Sequence, residues 1–174
     1  MKKIINEIKK LNKELASLPG IVPVTNTIMQ NPTSNFEQLI TDSGLRKRVS
    51  KLFHDGHHAR AVEEAYKFID NLVKKLARPE NTSLTGAKLM TTVFSPNSPL
   101  LKLNSGSSCS ENDEQIGYMQ IFAGCMTGIR NPRAHECDWE DTEQRAFQLL
   151  ILANHLVERL RYAEKQSISN IDRE

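Results

Sequence analysis

Apolar residues recur at helical spacing along most of the chain. Residues 2–17 place Ile4, Ile8, Leu11 and Leu15 on one stripe with lysines on the other side, and Leu18-Pro19-Gly20 ends the pattern. Such a stripe must pack on the main domain or on a second subunit. Residues 19–34 carry three prolines among Thr, Asn and Ser and read as a linker, with a short helix expected over 36–41. The core is expected to begin near Leu45. Leu45, Val49, Leu52 and Phe53 form one face, which Asp55-Gly56 terminates. A long helix follows, with Ala59, Val62, Ala65, Tyr66, Ile69, Leu72, Val73 and Leu76 in register until Arg78-Pro79.

The second half repeats the pattern. A shorter helix is predicted over 85–94, then a polar loop rich in Pro, Gly and Ser over 95–110. Asn112 with Gln115 has the form of a capping box, opening a helix whose stripe is Ile116, Met119, Ala123, Met126 and Ile129. Asn131-Pro132 reads as a helix break. Asp141 with Gln144 repeats the capping signal before a last helix bearing Ala146, Leu149, Leu150, Ala153, Leu156, Val157 and Leu160. No segment alternates with period two long enough to predict a sheet. The expected fold is an all-α bundle of about four core helices with an added N-terminal helix. Its parts are residues 1–44 (helix and linker), 45–165 (bundle) and 166–174 (tail).

A chain of 174 residues is long enough for one domain with a full core. No apolar run is long enough to span a membrane, and Asn6, Glu7, Lys9 and Lys10 interrupt what would otherwise open like a signal peptide. Three cysteines (Cys109, Cys125, Cys137) without a CxxC pair argue for a reducing cytoplasm, with Cys125 a small buried hydrophobe. The net charge of +2 conceals an asymmetry. Residues 1–78 hold 14 Lys+Arg against 8 Asp+Glu, and residues 79–174 hold 9 against 13. A basic half permits a nucleic-acid footprint; a solvated helical surface explains it equally well.

Residues 128–135, Gly-Ile-Arg-Asn-Pro-Arg-Ala-His, concentrate the candidate chemistry. Arg130 has the planar fork that holds phosphate, and His135, four residues beyond it, carries the side chain that most readily moves protons near neutral pH. Asn131 either orients phosphate or ribose or caps a helix that starts at Pro132. Arg133 either adds attraction for phosphate or is a solvated arginine. The plain alternative for the stretch is a helix break with Arg130 at helix-end carbonyls and His135 in a loop.

The motif and its surroundings resemble the HEPN superfamily of small helical bundles, and within it the Ymh-like branch linked with phage defence and abortive infection. HEPN ribonucleases share Arg, a polar residue, three variable positions and His, which Arg130, Asn131 and His135 match, with Gly128 and Pro132 fitting the branch. Leu52-Phe53, Gly56, Ala61-Val62, Ala65 and Lys67 match its first helix. Gly86, Leu89-Met90 and Phe94-Ser95-Pro96 match its middle, and Asp113-Glu114-Gln115 with Gly117 the start of the motif helix. The resemblance covers about residues 45–163.

The resemblance implies a cofactor-free, metal-independent endoribonuclease leaving 2′,3′-cyclic phosphate ends. His135 would act as acid or base, Arg130 would stabilise the phosphorane and Asn131 would orient the substrate. It further implies a homodimer with its motifs facing across the two-fold axis, because one chain supplies one motif histidine. A toxin or defence role, with an antitoxin or defence-system partner, belongs to the same expectation. The alternative is a non-catalytic HEPN dimer that binds nucleotide, RNA or a partner protein.

Other residues invite lesser roles. His54 and His58 have the i,i+4 spacing of zinc helices, but the Asp55-Gly56 break spoils it and no third ligand accompanies them or the pair His135/Cys137. Glu63 and Glu64 read as salt-bridged surface, with a role beside the cleft as the alternative, and Glu114 as support for a helix N-terminus. Trp139 either fills a gap between helices or stacks on a base.

Overall fold

The computed structural model describes residues 35–78 and 83–171, together with Lys10, and side chains as far as Ala163. The expected helix over 2–17, the linker over 19–34 and residues 172–174 lie outside the described residues. The chain divides into a unit Met1–Asn31 and a larger one, Pro32–Glu174, to which everything below belongs. Its helices are α1 (Phe36–Leu39), α2 (Ser43–His54), α3 (His58–Ala77), α4 (Gly86–Val93), α5 (Cys109–Cys125), a π-helical turn (Met126–Arg130), α6 (Asn131–His135) and α7 (Glu143–Ile171). The fold is all-α, with no strand among the described residues.

α3 is the central helix and packs on α2, α4, the π turn and α7. Its face Ala61, Val62, Ala65, Tyr66, Ile69, Leu72 and Val73 is buried, as the spacing predicts. Helix α2 begins where the Asp42 carboxylate accepts the Leu45 N–H at 2.8 Å. It ends at Asp55-Gly56, with Gly56 at φ +82°, a region that favours glycine. The core reaches beyond the expected start at Leu45. Phe36 is fully buried, stacks on Phe53 at 4.9 Å and lies 6.1 Å from Phe147 of α7. Ile40 is fully buried beside it in the chain. Burial of this size contributes roughly 1.5–3 kcal/mol per side chain before entropy.

Three local expectations are corrected by the structure. α5 is capped by Ser108, whose Oγ accepts the Glu111 N–H at 3.2 Å, not by Asn112 with Gln115. Gln115 is buried instead. Its Oε1 accepts the Leu103 N–H at 3.0 Å, and its Nε2 donates to the carbonyls of Phe94 at 3.2 Å and Leu101 at 3.0 Å, which fastens the 95–108 loop to the bundle. The buried stripe of α5 is therefore displaced onto Gln115, Phe122 and Cys125, while Ile116, Met119 and Ala123 are half-buried. At the last helix the cap is Thr142, whose Oγ1 accepts the Arg145 N–H at 3.2 Å; Asp141 is engaged elsewhere.

Candidate active site

The chain does not break at Asn131-Pro132. Arg130 and Asn131 both have helical dihedrals, and the Asn131 N–H donates to the carbonyl of Met126, five residues back. Proline lacks an N–H, and its ring clashes with the carbonyl four residues earlier in a regular α-helix. The wider π turn relieves that clash and lets one continuous rod pass through Pro132, a device frequent at functional sites. Asn131 is thus inside the helix and not its N-cap, which leaves its half-buried side chain free of capping duty.

The rod distributes its motif residues to different surroundings. Five positions along an α-helix turn about 140°, so Arg130 and His135 leave it in different directions. Arg130 is half-buried, and its Nη1 lies 3.8 Å from where a Cβ on Gly86 would sit. Gly86 has φ +61° and its N–H donates to the buried Asp70 carboxylate at 2.6 Å. The Arg130 Nε is buried without a hydrogen-bond partner. His135, by contrast, is exposed at the end of α6.

Arg133 corrects the expectation of an RNA-binding arginine. Its side chain is 1% exposed and is gripped at both ends by Asp141, Nε to Oδ2 at 2.6 Å and Nη2 to Oδ1 at 2.7 Å. Nη1 donates to the Ile129 carbonyl at 2.6 Å. A guanidinium committed in this way does not offer its fork to phosphate. It holds the segment after His135 against the motif rod. Trp139 completes the lock, its ring 5.4 Å from the Arg133 guanidinium and 5.7 Å from that of Arg145. These contacts fit the gap-filling expectation for Trp139.

His135 lines an open cleft of about 630 Å³ between the motif segment and the α2–α3 turn. The facing wall carries His57, His58, Arg60 and Glu63, and Arg130 is not part of the lining. Glu63 is 6% exposed, with Arg60 and Lys67 each at 2.6 Å. Burial pushes its carboxyl up, but the hydrogen bond from Lys67 and the charges of Arg60 and Lys67 outweigh this and hold it below the ordinary range. The salt bridges expected of Glu63 are present, but the residue is buried at the cleft and not on a solvated surface. The signal was present: Glu63 and Asp70 are one heptad apart on the same stripe as Tyr66. The histidine pair does not form a zinc helix, because His54 closes α2 and His58 opens α3. Among the described residues no group of three His, Cys, Asp or Glu is arranged to hold a metal. No helix among them is long and apolar enough to cross a membrane.

Residues 40–160 match the model of the Ymh family, described as a protein of unknown function (Hypoth_ymh). The chain belongs to this family. The matched span contains α2 to α6 and most of α7, so both walls of the cleft and the whole motif rod lie within it. Neither a curated protein nor a solved structure matches the chain.

Proposed function

We propose that this Ymh-family protein is a metal-independent endoribonuclease of the HEPN type, acting in the cytoplasm as a phage-defence or toxin effector. The observation that carries the reading is the motif rod. It runs unbroken through Pro132, presents His135 to an open cleft, and leaves the Arg130 Nε unpartnered while Arg133 is spent on Asp141. His135 transfers a proton, Arg130 stabilises the extra charge of the phosphorane, and Asn131 orients the phosphate or ribose. Because Arg130 lies outside the cleft of its own His135, the complete site needs two copies, with the guanidinium of one approaching the cleft of the other.

The test is purified full-length protein incubated in EDTA with total cellular RNA and with defined tRNAs, followed by end mapping. Cleavage should leave 2′,3′-cyclic phosphate and 5′-hydroxyl ends. His135→Ala and Arg130→Ala should each abolish it with helix content retained. Arg130→Lys should rescue poorly, since lysine keeps the charge and loses the fork. Asn131→Ala should lose about ten- to a hundredfold. Activity that survives in His135→Ala, or that depends wholly on a divalent ion, overturns the reading. The absence of Arg130 from the His135 cleft favours a second one, a non-catalytic HEPN dimer that binds nucleotide, RNA or a toxin-system partner. RNA binding without cleavage would select it.

A further inference from the structure

Opening RNA through its 2′-hydroxyl needs two proton transfers, and one motif histidine makes one. We propose that the second proton-transfer group is His58 of the same chain, so that His58 and His135 form an acid–base pair across the cleft; this rests on the ribonuclease reading. His58 is the first residue of α3 and lines the wall of the cleft opposite the motif segment that carries His135. It is half-buried, with its ring 5.3 Å from Phe53, which itself stacks on Phe36 in the core. The core thereby fixes where the imidazole points, as an acid–base group requires. His57, also in the lining, is exposed and has no ring neighbour to orient it.

Two of the other carboxylates of the cleft are engaged in ion pairs. Glu63 is ion-paired with Arg60 and Lys67, and Asp141 with Arg133 and Arg145. Glu136 and Glu140 are exposed on the opposite wall. In the reaction one imidazole removes the 2′-hydroxyl proton as the 2′-oxygen bonds to phosphorus. The other, protonated, gives its proton to the departing 5′-oxygen as the phosphorus–oxygen bond breaks. One proton is taken and one returned, so nothing else is consumed.

The experiment measures cleavage of a defined tRNA by full-length wild type, His58→Ala, His58→Gln and His57→Ala across pH 5–9. Both His58 variants should lose about 10²–10⁴ in rate, the usual worth of a general acid or base. Their pH profile should lose one of its two limbs, and added imidazole should partly restore His58→Ala. His57→Ala, which removes the neighbouring imidazole of the cleft wall, should keep both limbs of the pH profile. The glutamine variant, matched in size against Phe53, guards against a folding effect in the alanine. The proposal is overturned by His58 variants that retain wild-type rate, or that lose rate with both limbs intact. A wild type that cuts no RNA refutes the ribonuclease reading itself, and the pair with it.

Discussion

Two arginines three positions apart on one rod meet opposite fates, and the difference is what surrounds each fork. Arg133 is closed over by Asp141, Ile129 and Trp139, whereas the Nε of Arg130 has no partner. Removing one member of a buried ion pair strands the other charge, which costs about 3–5 kcal/mol. Arg133→Ala should therefore lower stability in urea by roughly that much, and Arg130→Ala far less. Glu63 makes a pH prediction. Its carboxyl titrates below the ordinary 4.5, so its contribution is complete above that value and is lost as pH falls through the depressed pKa. Glu63→Gln should flatten the acid side of the stability curve, measured by thermal melts between pH 3 and 6. Cys125 is buried, and burial pushes its thiol up to about 11. At pH 8 iodoacetamide should modify exposed Cys109 and Cys137 in the native protein and reach Cys125 only after unfolding.

Elements are joined here by polar side chains that sequence patterns assign to other duties. Gln115 satisfies one N–H and one carbonyl of the 95–108 loop and the Phe94 carbonyl at the end of α4 from inside the bundle. Leaving such groups unpaired costs about 1–3 kcal/mol. Gln115→Ala should speed amide exchange at Leu103 well beyond that of α3, as hydrogen-exchange mass spectrometry would resolve. Asp70, on α3, does similar work for α4. It accepts the Gly86 N–H and the Thr85 hydroxyl and pairs with Lys74 at 2.9 Å. That seats the start of α4 against Arg130, which gives the glycine at position 86 a physical reason.

For the whole molecule, the two-copy reading points to the outer side of α5. Gly117 and Gly124 of α5 and Gly128 of the π turn face open space, and Ile121 is 44% exposed among them. Bare backbone permits close approach of a second helix. Light scattering should find a dimer at micromolar concentration, and Ile121→Glu should convert it to a monomer with little change in melting temperature. Deleting residues 1–33 should leave the bundle folded, since Phe36 is the first buried residue among those described.

What the sequence determined by itself was whatever depends on spacing along one helix. The all-α class, α2 to α4, the last helix and the turn at Asp55-Gly56 follow from apolar periodicity and glycine, which act within a few residues. Arg130, Asn131 and His135 were singled out by their side-chain chemistry and by the resemblance of residues 128–135 to the HEPN motif, not by periodicity. Tertiary structure decided the partners of the polar residues. That the helix runs on through Pro132 after a π turn, that Gln115 and Asp141 serve the interior and not caps, that Arg133 is held by Asp141, and that His58 and His135 line one cleft all depend on how the segments pack. A side chain's hydrogen-bonding capacity is written in its identity, but the group that uses it is chosen only when the helices pack.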